Sequence, residues 1–135
     1  MAITCEKVEQ IVVFLENRPG ILADLCAHLA ERDINIRAIT SVEATEAGVI
    51  RLILDRPQAA KEVLSEARVT YTTSECLVVE MPNYPGGFAH IARELALAGI
   101  NIEYIYATTI PGAGSALGVL GVSDLERALK VDWGK

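Results

Sequence analysis

Two short segments carry the residue types to hold a small carboxylate: Asn17-Arg18-Pro19-Gly20 and Asn83-Tyr84-Pro85-Gly86. In each, proline fixes the backbone and glycine lets the main chain pass close beneath a bound group. The N–H groups that follow, Gly20-Ile21-Leu22 and Gly86-Gly87-Phe88, open an amphipathic run. At a helix start such groups lack intrahelical acceptors and, with the helix dipole, favour an anion. Asn17 and Asn83 can cap the turn or offer an amide to a ligand's ammonium or carboxylate. Eighteen residues further on, Asn35 and Asn101 stand in Ile34-Asn35-Ile36 and Ile100-Asn101-Ile102. On a strand, residues so placed face away from a helix-covered core. An asparagine before Pro-Gly is ordinary turn chemistry. Turn chemistry, however, needs the first asparagine of each pair and not the second.

Other chemistries find little support. His28 and His90 are the only two histidines, and the repeat described below does not align them. Cys26 and His28 are two apart on a predicted helix and so point in different directions. The three cysteines form no CxxC pair and no zinc pattern, and Pro85-Gly86-Gly87 is too short for a phosphate-binding loop. Neither catalysis nor a metal or cofactor is expected. With a net charge of −6 and no cluster of Lys and Arg, the chain is not expected to bind nucleic acid. No run approaches the ~18 apolar residues of a membrane span. The Met1–Glu6 segment lacks the basic and apolar regions of a signal peptide, so a cytoplasmic protein is expected.

The elements that must position these residues emerge from an internal repeat. A shift of 66 residues superimposes both asparagine motifs, and nine of the twenty positions from 17 to 36 are then identical. Apolar spacing is kept as well: Leu22, Leu25 and Leu29 fall on Phe88, Ile91 and Leu95. Each copy begins with a short aliphatic strand (Ile11 to Leu15, Leu77 to Met81). A helix with i, i+3, i+4, i+7 apolar spacing follows, ending at Asp33 or Gly99. Second strands run from about Ile34 to Val42 and Ile100 to Thr109. After turns at Thr45–Gly48 and Ile110–Gly114, third strands cover Val49 to Asp55 and Ser115 to Val122. Second helices start near Pro57 and, behind the capping candidate Ser123, near Asp124. Val69 to Thr73 completes copy one. The order βαββαβ is a ferredoxin-like unit, and the predicted class is α+β: two such modules in tandem, antiparallel sheets with helices on one face.

Copy two stops where its fourth strand should begin. By the same shift Val69-Thr70-Tyr71 falls on Ile3-Thr4-Cys5. Residues 2–6 are therefore expected to close the second sheet, whose edge would otherwise expose backbone donors and acceptors. The expected modules are residues 1–73 and 74–135.

Glu16-Asn17-Arg18-Pro19-Gly20-Ile21-Leu22 and Asp33-Ile34-Asn35-Ile36 resemble the ACT domain, a regulatory module of amino-acid metabolism. They are particularly similar to its serine-sensing branch in phosphoglycerate dehydrogenases. That resemblance implies paired ferredoxin-like modules. It implies an amino acid held at the interface, between the helix-leading loop of one module and the second strand of another. By position it carries over Asn17 and Asn35, with Asn83 and Asn101 as their repeats. The ligand-contacting stretches it suggests are Asn17–Leu22, Asn35-Ile36, Asn83–Phe88 and Asn101-Ile102. A histidine of the serine sensor corresponds to Leu15 here and to Met81 in copy two, which points to a more apolar ligand. No catalytic residue comes with the resemblance. The implied protein is a regulatory amino-acid binder, a homodimer that can report to a separate metabolic enzyme. The alternative is an interaction or dimerisation module that keeps the scaffold without the ligand.

Overall fold

The computed structural model describes residues 3–42 and 47–134; the side chain of Ala47 is not described. The expected turn at Thr45–Gly48 lies partly outside these residues, as does Ala2 of the N-terminal segment. The described elements run β1 (Thr4–Glu16), α1 (Ile21–Glu31), β2 (Ile36–Val42), β3 (Ala47–Leu54), α2 (Pro57–Glu66), β4 (Thr70–Pro82), α3 (Gly87–Leu97), β5 (Ile102–Thr108), β6 (Ser115–Val122) and α4 (Leu125–Ala128). They divide into two compact units, Glu9–Ser74 and Met1–Val8 with Glu75–Lys135. The fold is α+β with antiparallel pairing.

In the Glu9–Ser74 unit the strand order is β2-β3-β1-β4, with only the first residues of β4 taking part. Alternation along β1 sends Ile11, Val13 and Leu15 to one face, where Leu25 and Leu29 of α1 and Val63 and Leu64 of α2 cover them. Pro57 opens α2 at a position whose N–H would have no acceptor in any case. Helix α1 ends at Asp33, which adopts φ 57. Asp pays less than most residues for that left-handed conformation. Gln10, fully buried, donates from Nε2 to Ser74 Oγ at 3.1 Å, so its burial leaves the amide partnered.

The other unit repeats the pattern with β5-β6-β4 and the first residues of β1. Leu77, Val79 and Met81 pack against Ile91 and Leu95 of α3, and Gly99 ends that helix with φ 75. Ile3 and Cys5 pack against this same core. Lys7 reaches Glu126 at 3.3 Å and Glu75 at 3.7 Å. The hydrogen bond and charge of Glu126, with a smaller contribution from Glu75, hold its pKa above the ordinary lysine value. Deleting residues 1 to 6 should therefore weaken this unit by ~2–3 kcal/mol through lost apolar burial and edge hydrogen bonds. Amide exchange would show it as faster exchange across residues 75–134 than across 9–74; equal protection in both units would refute the assignment.

Two details depart from the sequence reading. The N-cap of α4 is Asp124, whose Oδ1 accepts from the Arg127 N–H at 3.1 Å. Ser123 instead accepts the Asn101 N–H at its Oγ, 2.9 Å away. Also, α4 is a single turn where α2 has ten residues. Leu129 at the C-cap, with Val131 and Trp133 beyond it, packs on the core.

Candidate ligand pockets at the two helix starts

Strand β1 ends at Glu16, and the chain turns through Asn17-Arg18-Pro19-Gly20 into α1. Gly20 is the N-cap with φ 88 and no side-chain cap bond. Gly86 repeats this before α3 with φ 95. An L-side chain rarely adopts either angle, so the residue type is set by the backbone alone: nothing lies within 4 Å of a Cβ built at either site. The Ile21 and Gly87 N–H groups are taken by the Arg18 and Tyr84 carbonyls, at 3.4 and 3.1 Å. Because no side chain caps the helices, the next N–H groups of each first turn, Leu22-Ala23 and Phe88-Ala89, face the loop as donors for a ligand.

A pocket opens at each helix start. In the first unit it measures about 380 Å³, between the loop residues Asn17 and Arg18, the helix residues Ile21 and Leu22, and Gly48 and Ile50 of β3. In the second it measures about 500 Å³, bounded by Asn83, Tyr84, Gly87 and Phe88, with Thr109 and Ala116 opposite. Leu22 and Phe88, which the helical periodicity places on the apolar stripe, are 41% and 37% exposed and form the lips of the pockets. The strand contributors were missed in the sequence reading. Their signal is a small residue facing the end of the first strand, Gly48 opposite Leu15 and Ala116 opposite Met81.

The two asparagines of each copy are not brought together within a unit. Asn35 and Asn101 are exposed and lie just before β2 and β5, at the far end of a helix about 16 Å long. Their backbones close matching turns. Asn35 N–H donates to Asp55 Oδ1 at 2.9 Å, and the Asn35 carbonyl accepts from Asp55 N–H at 3.1 Å. Asn101 does the same with Ser123, at 2.9 Å in both directions. Ile36 and Ile102 pack on the cores. Pro19 and Gly20 shape the first loop without lining its pocket, whereas Pro85 and Gly86 line the second.

The units also differ in how the loop is held. Asn83 donates both amide protons, from Nδ2 to the carbonyls of Ile110 (3.2 Å) and Ala113 (3.0 Å), and its N–H donates to Gly114 O at 3.2 Å. Those acceptors belong to the β5–β6 connection. Comparing Leu15↔Gly48 with Met81↔Ala116 gives offsets of 66 on the first strand and 68 on the third, so this hairpin is two residues longer than its counterpart. Asn83→Ala should release the hairpin, raising amide exchange at 110–114 and costing ~1–2 kcal/mol for the lost bonds. Unchanged exchange there would show that the hairpin holds itself.

The mouth of the first pocket carries an ion pair, Arg18 Nε to Glu16 Oε2 at 3.3 Å. Both side chains are more than half exposed, so its stabilising effect is small, ~0–1 kcal/mol. His28 lies against the Asp24 carbonyl and His90 against the Trp133 carbonyl. Among the described residues no group of His, Cys, Asp and Glu is placed to hold a metal ion, and no helix is long and apolar enough to cross a membrane.

A family model described as an ACT domain pair matches residues 6–131. No curated protein matches the sequence. Among solved structures, a protein from Bacteroides thetaiotaomicron aligns with a TM-score of 0.86 at 26% identity, covering 93% of this chain and 86% of that one. The ligand-free regulatory subunit of aspartate kinase from Thermus thermophilus gives 0.72 at 22% identity, over 96% and 94% of the two chains. Aspartokinase III from E. coli, in complex with lysine and aspartate, gives 0.59 at 18% identity, over 96% of this chain and 31% of that one. The latter two identities speak for the fold alone, whereas the family match spans nearly the whole chain. Both the repeated loop–helix starts and that match place the chain in the ACT domain pair family.

Proposed function

We propose that this chain is a non-catalytic regulatory protein that binds an amino acid at the starts of α1 and α3. The observation that carries the reading is the pair of pockets, each opening on a helix N-terminus that no side chain caps. A free α-carboxylate fits that chemistry, since first-turn N–H groups and the dipole favour an anion at no cost in reorganisation. Solved structures of the same fold include a regulatory subunit of aspartate kinase and an aspartokinase bound to lysine and aspartate. Regulation by an amino acid, relayed to a separate metabolic enzyme, agrees with both.

In this reading the modules are residues 1–73 and 74–135, the second completed by residues 2–6. Asn17 to Leu22 and Asn83 to Phe88 hold the ligand. Asn35-Ile36 and Asn101-Ile102 cannot reach the pocket of their own unit, so they would serve a ligand held by a second ACT module. The protein acts in the cytoplasm as a homodimer, and without a cofactor.

A thermal-shift series with the twenty amino acids tests this. A ligand at 100 times its Kd should add ~2.7 kcal/mol of stability. Asn17→Ala should reduce the shift of any ligand held in the first unit. No shift with any amino acid at millimolar concentration would instead favour an interaction module that has lost its ligand.

A further inference from the structure

The two pockets differ at the positions that set size and charge. Because Val13 pairs with Ile50 and Val79 with Gly118, those two strand positions are equivalent. Ile21 and Ile50 of the first unit are thus replaced by Gly87 and Gly118 in the second, and the Glu16–Arg18 ion pair by Pro82 and Tyr84. Two branched side chains are removed, and the pocket grows from about 380 to about 500 Å³.

We infer that the pocket of the second unit selects an amino acid with a large uncharged side chain, and that Gly87, Ala116 and Tyr84, all of which line it, set this choice. The inference rests on the amino-acid-binding reading given above and names the ligand class for one of its sites. None of the residues lining this pocket is Lys, Arg, Asp or Glu. A charged ligand side chain entering it would lose water without gaining a counter-ion. An aromatic or long aliphatic side chain would instead bury apolar surface against Tyr84 and Phe88.

The walls can accommodate such a group. A Cβ on Gly118 would stand 3.4 Å from Met81 Cε, 3.5 Å from Leu120 Cδ1 and 3.6 Å from Phe88 Cε1, so side chains close over this position and Met81 and Phe88 form the pocket wall in place of the missing isoleucine. Met81 is unbranched and adapts its shape readily. Gly87 is needed for a different reason: a Cβ there would approach Pro82 O at 2.9 Å, forcing the loop that presents Tyr84 to move. The amide protons of Asn83 are already committed to the hairpin. The ligand's carboxylate therefore falls to the first-turn N–H groups of α3, and selection among amino acids falls to the side-chain pocket.

Calorimetric titration of the full chain with L-phenylalanine, L-aspartate and L-lysine tests the inference. L-Phenylalanine should bind best, with Ala116→Leu, which fills the pocket from a residue lining it, weakening it by about ten-fold or more. Should Ala116→Leu fold poorly, Tyr84→Arg serves at a position 57% exposed, where the fold tolerates the change. That variant should weaken L-phenylalanine and bring measurable binding of L-aspartate. Loss of the L-phenylalanine heat in Gly48→Leu, which fills the first pocket, together with its survival in Ala116→Leu, would overturn the assignment. So would stronger binding of L-lysine or L-aspartate that Ala116→Leu abolishes. Silence with all twenty amino acids would remove the binding reading itself, a result distinct from binding of the wrong class.

Discussion

Replacing Trp133 by alanine should destabilise the unit containing Glu75–Lys135 by ~3–5 kcal/mol, the usual loss for a large aromatic truncated in a core. The residue is only 8% exposed. Its burial follows from the short α4. In the first unit ten residues of α2 bring Val63 and Leu64 over the sheet, whereas α4 ends after four. Trp133, with Leu129 and Val131, supplies the missing apolar cover against Leu77, Ile91 and Ile100. The His90 ring meets the Trp133 carbonyl at 2.5 Å and ties the segment after α4 to α3. Urea denaturation followed by circular dichroism measures the loss. Amide exchange should place it in residues 75–134, and Trp133→Phe should recover about half through the apolar area it keeps. A Trp133→Ala protein whose midpoint moves by less than the equivalent of ~1 kcal/mol would show the C-terminal segment to be an accessory rather than part of the core.

Much of this arrangement is legible from residue types. The 66-residue repeat, the αL glycines before both helices and the alternation of Ile11, Val13 and Leu15 each have one local cause and can be read without coordinates. What could not be read depends on register and on competition between neighbours. Ser123 and Asp124 are both good cap residues; which one caps is decided by the Asn101 N–H, which claims Ser123 from across the sheet. Helical periodicity puts Leu22 and Phe88 with the core residues, because it reports which side of a helix is apolar and not how far the sheet extends beneath it. The offset of 68 on the third strands appears only when strand partners are known, since the insertion sits in a hairpin of turn residues. The two motifs of a copy do not by themselves disclose how far apart Asn17 and Asn35 lie within it. An intervening helix carries them to opposite ends of the unit.

Gly121→Ala should cost ~1–3 kcal/mol by overpacking, a large effect for the addition of one methyl group. A Cβ at this position would fall 2.0 Å from Tyr104 Cε2 and 2.3 Å from Cζ, far inside van der Waals contact with the ring. Tyr104 is the residue paired with Gly121 across β5 and β6, and its ring lies on the bare backbone there. The added methyl cannot be absorbed by small adjustments, so the ring must swing away and lose its packing. The equivalent pair in the first unit, Ala38 with Ile53, reverses the sizes: the small side chain is on the edge strand and the large one on its neighbour. Each unit thus fills the same volume once, from opposite strands. A double-mutant cycle separates this from a backbone effect at the glycine. If the methyl acts only by displacing the ring, Tyr104→Ala and Gly121→Ala together should cost no more than the worse single change. The coupling would then be of the order of 1 kcal/mol and opposite in sign to the single losses. Additive losses would mean that Gly121 is needed for its backbone and that Tyr104 is held by other contacts.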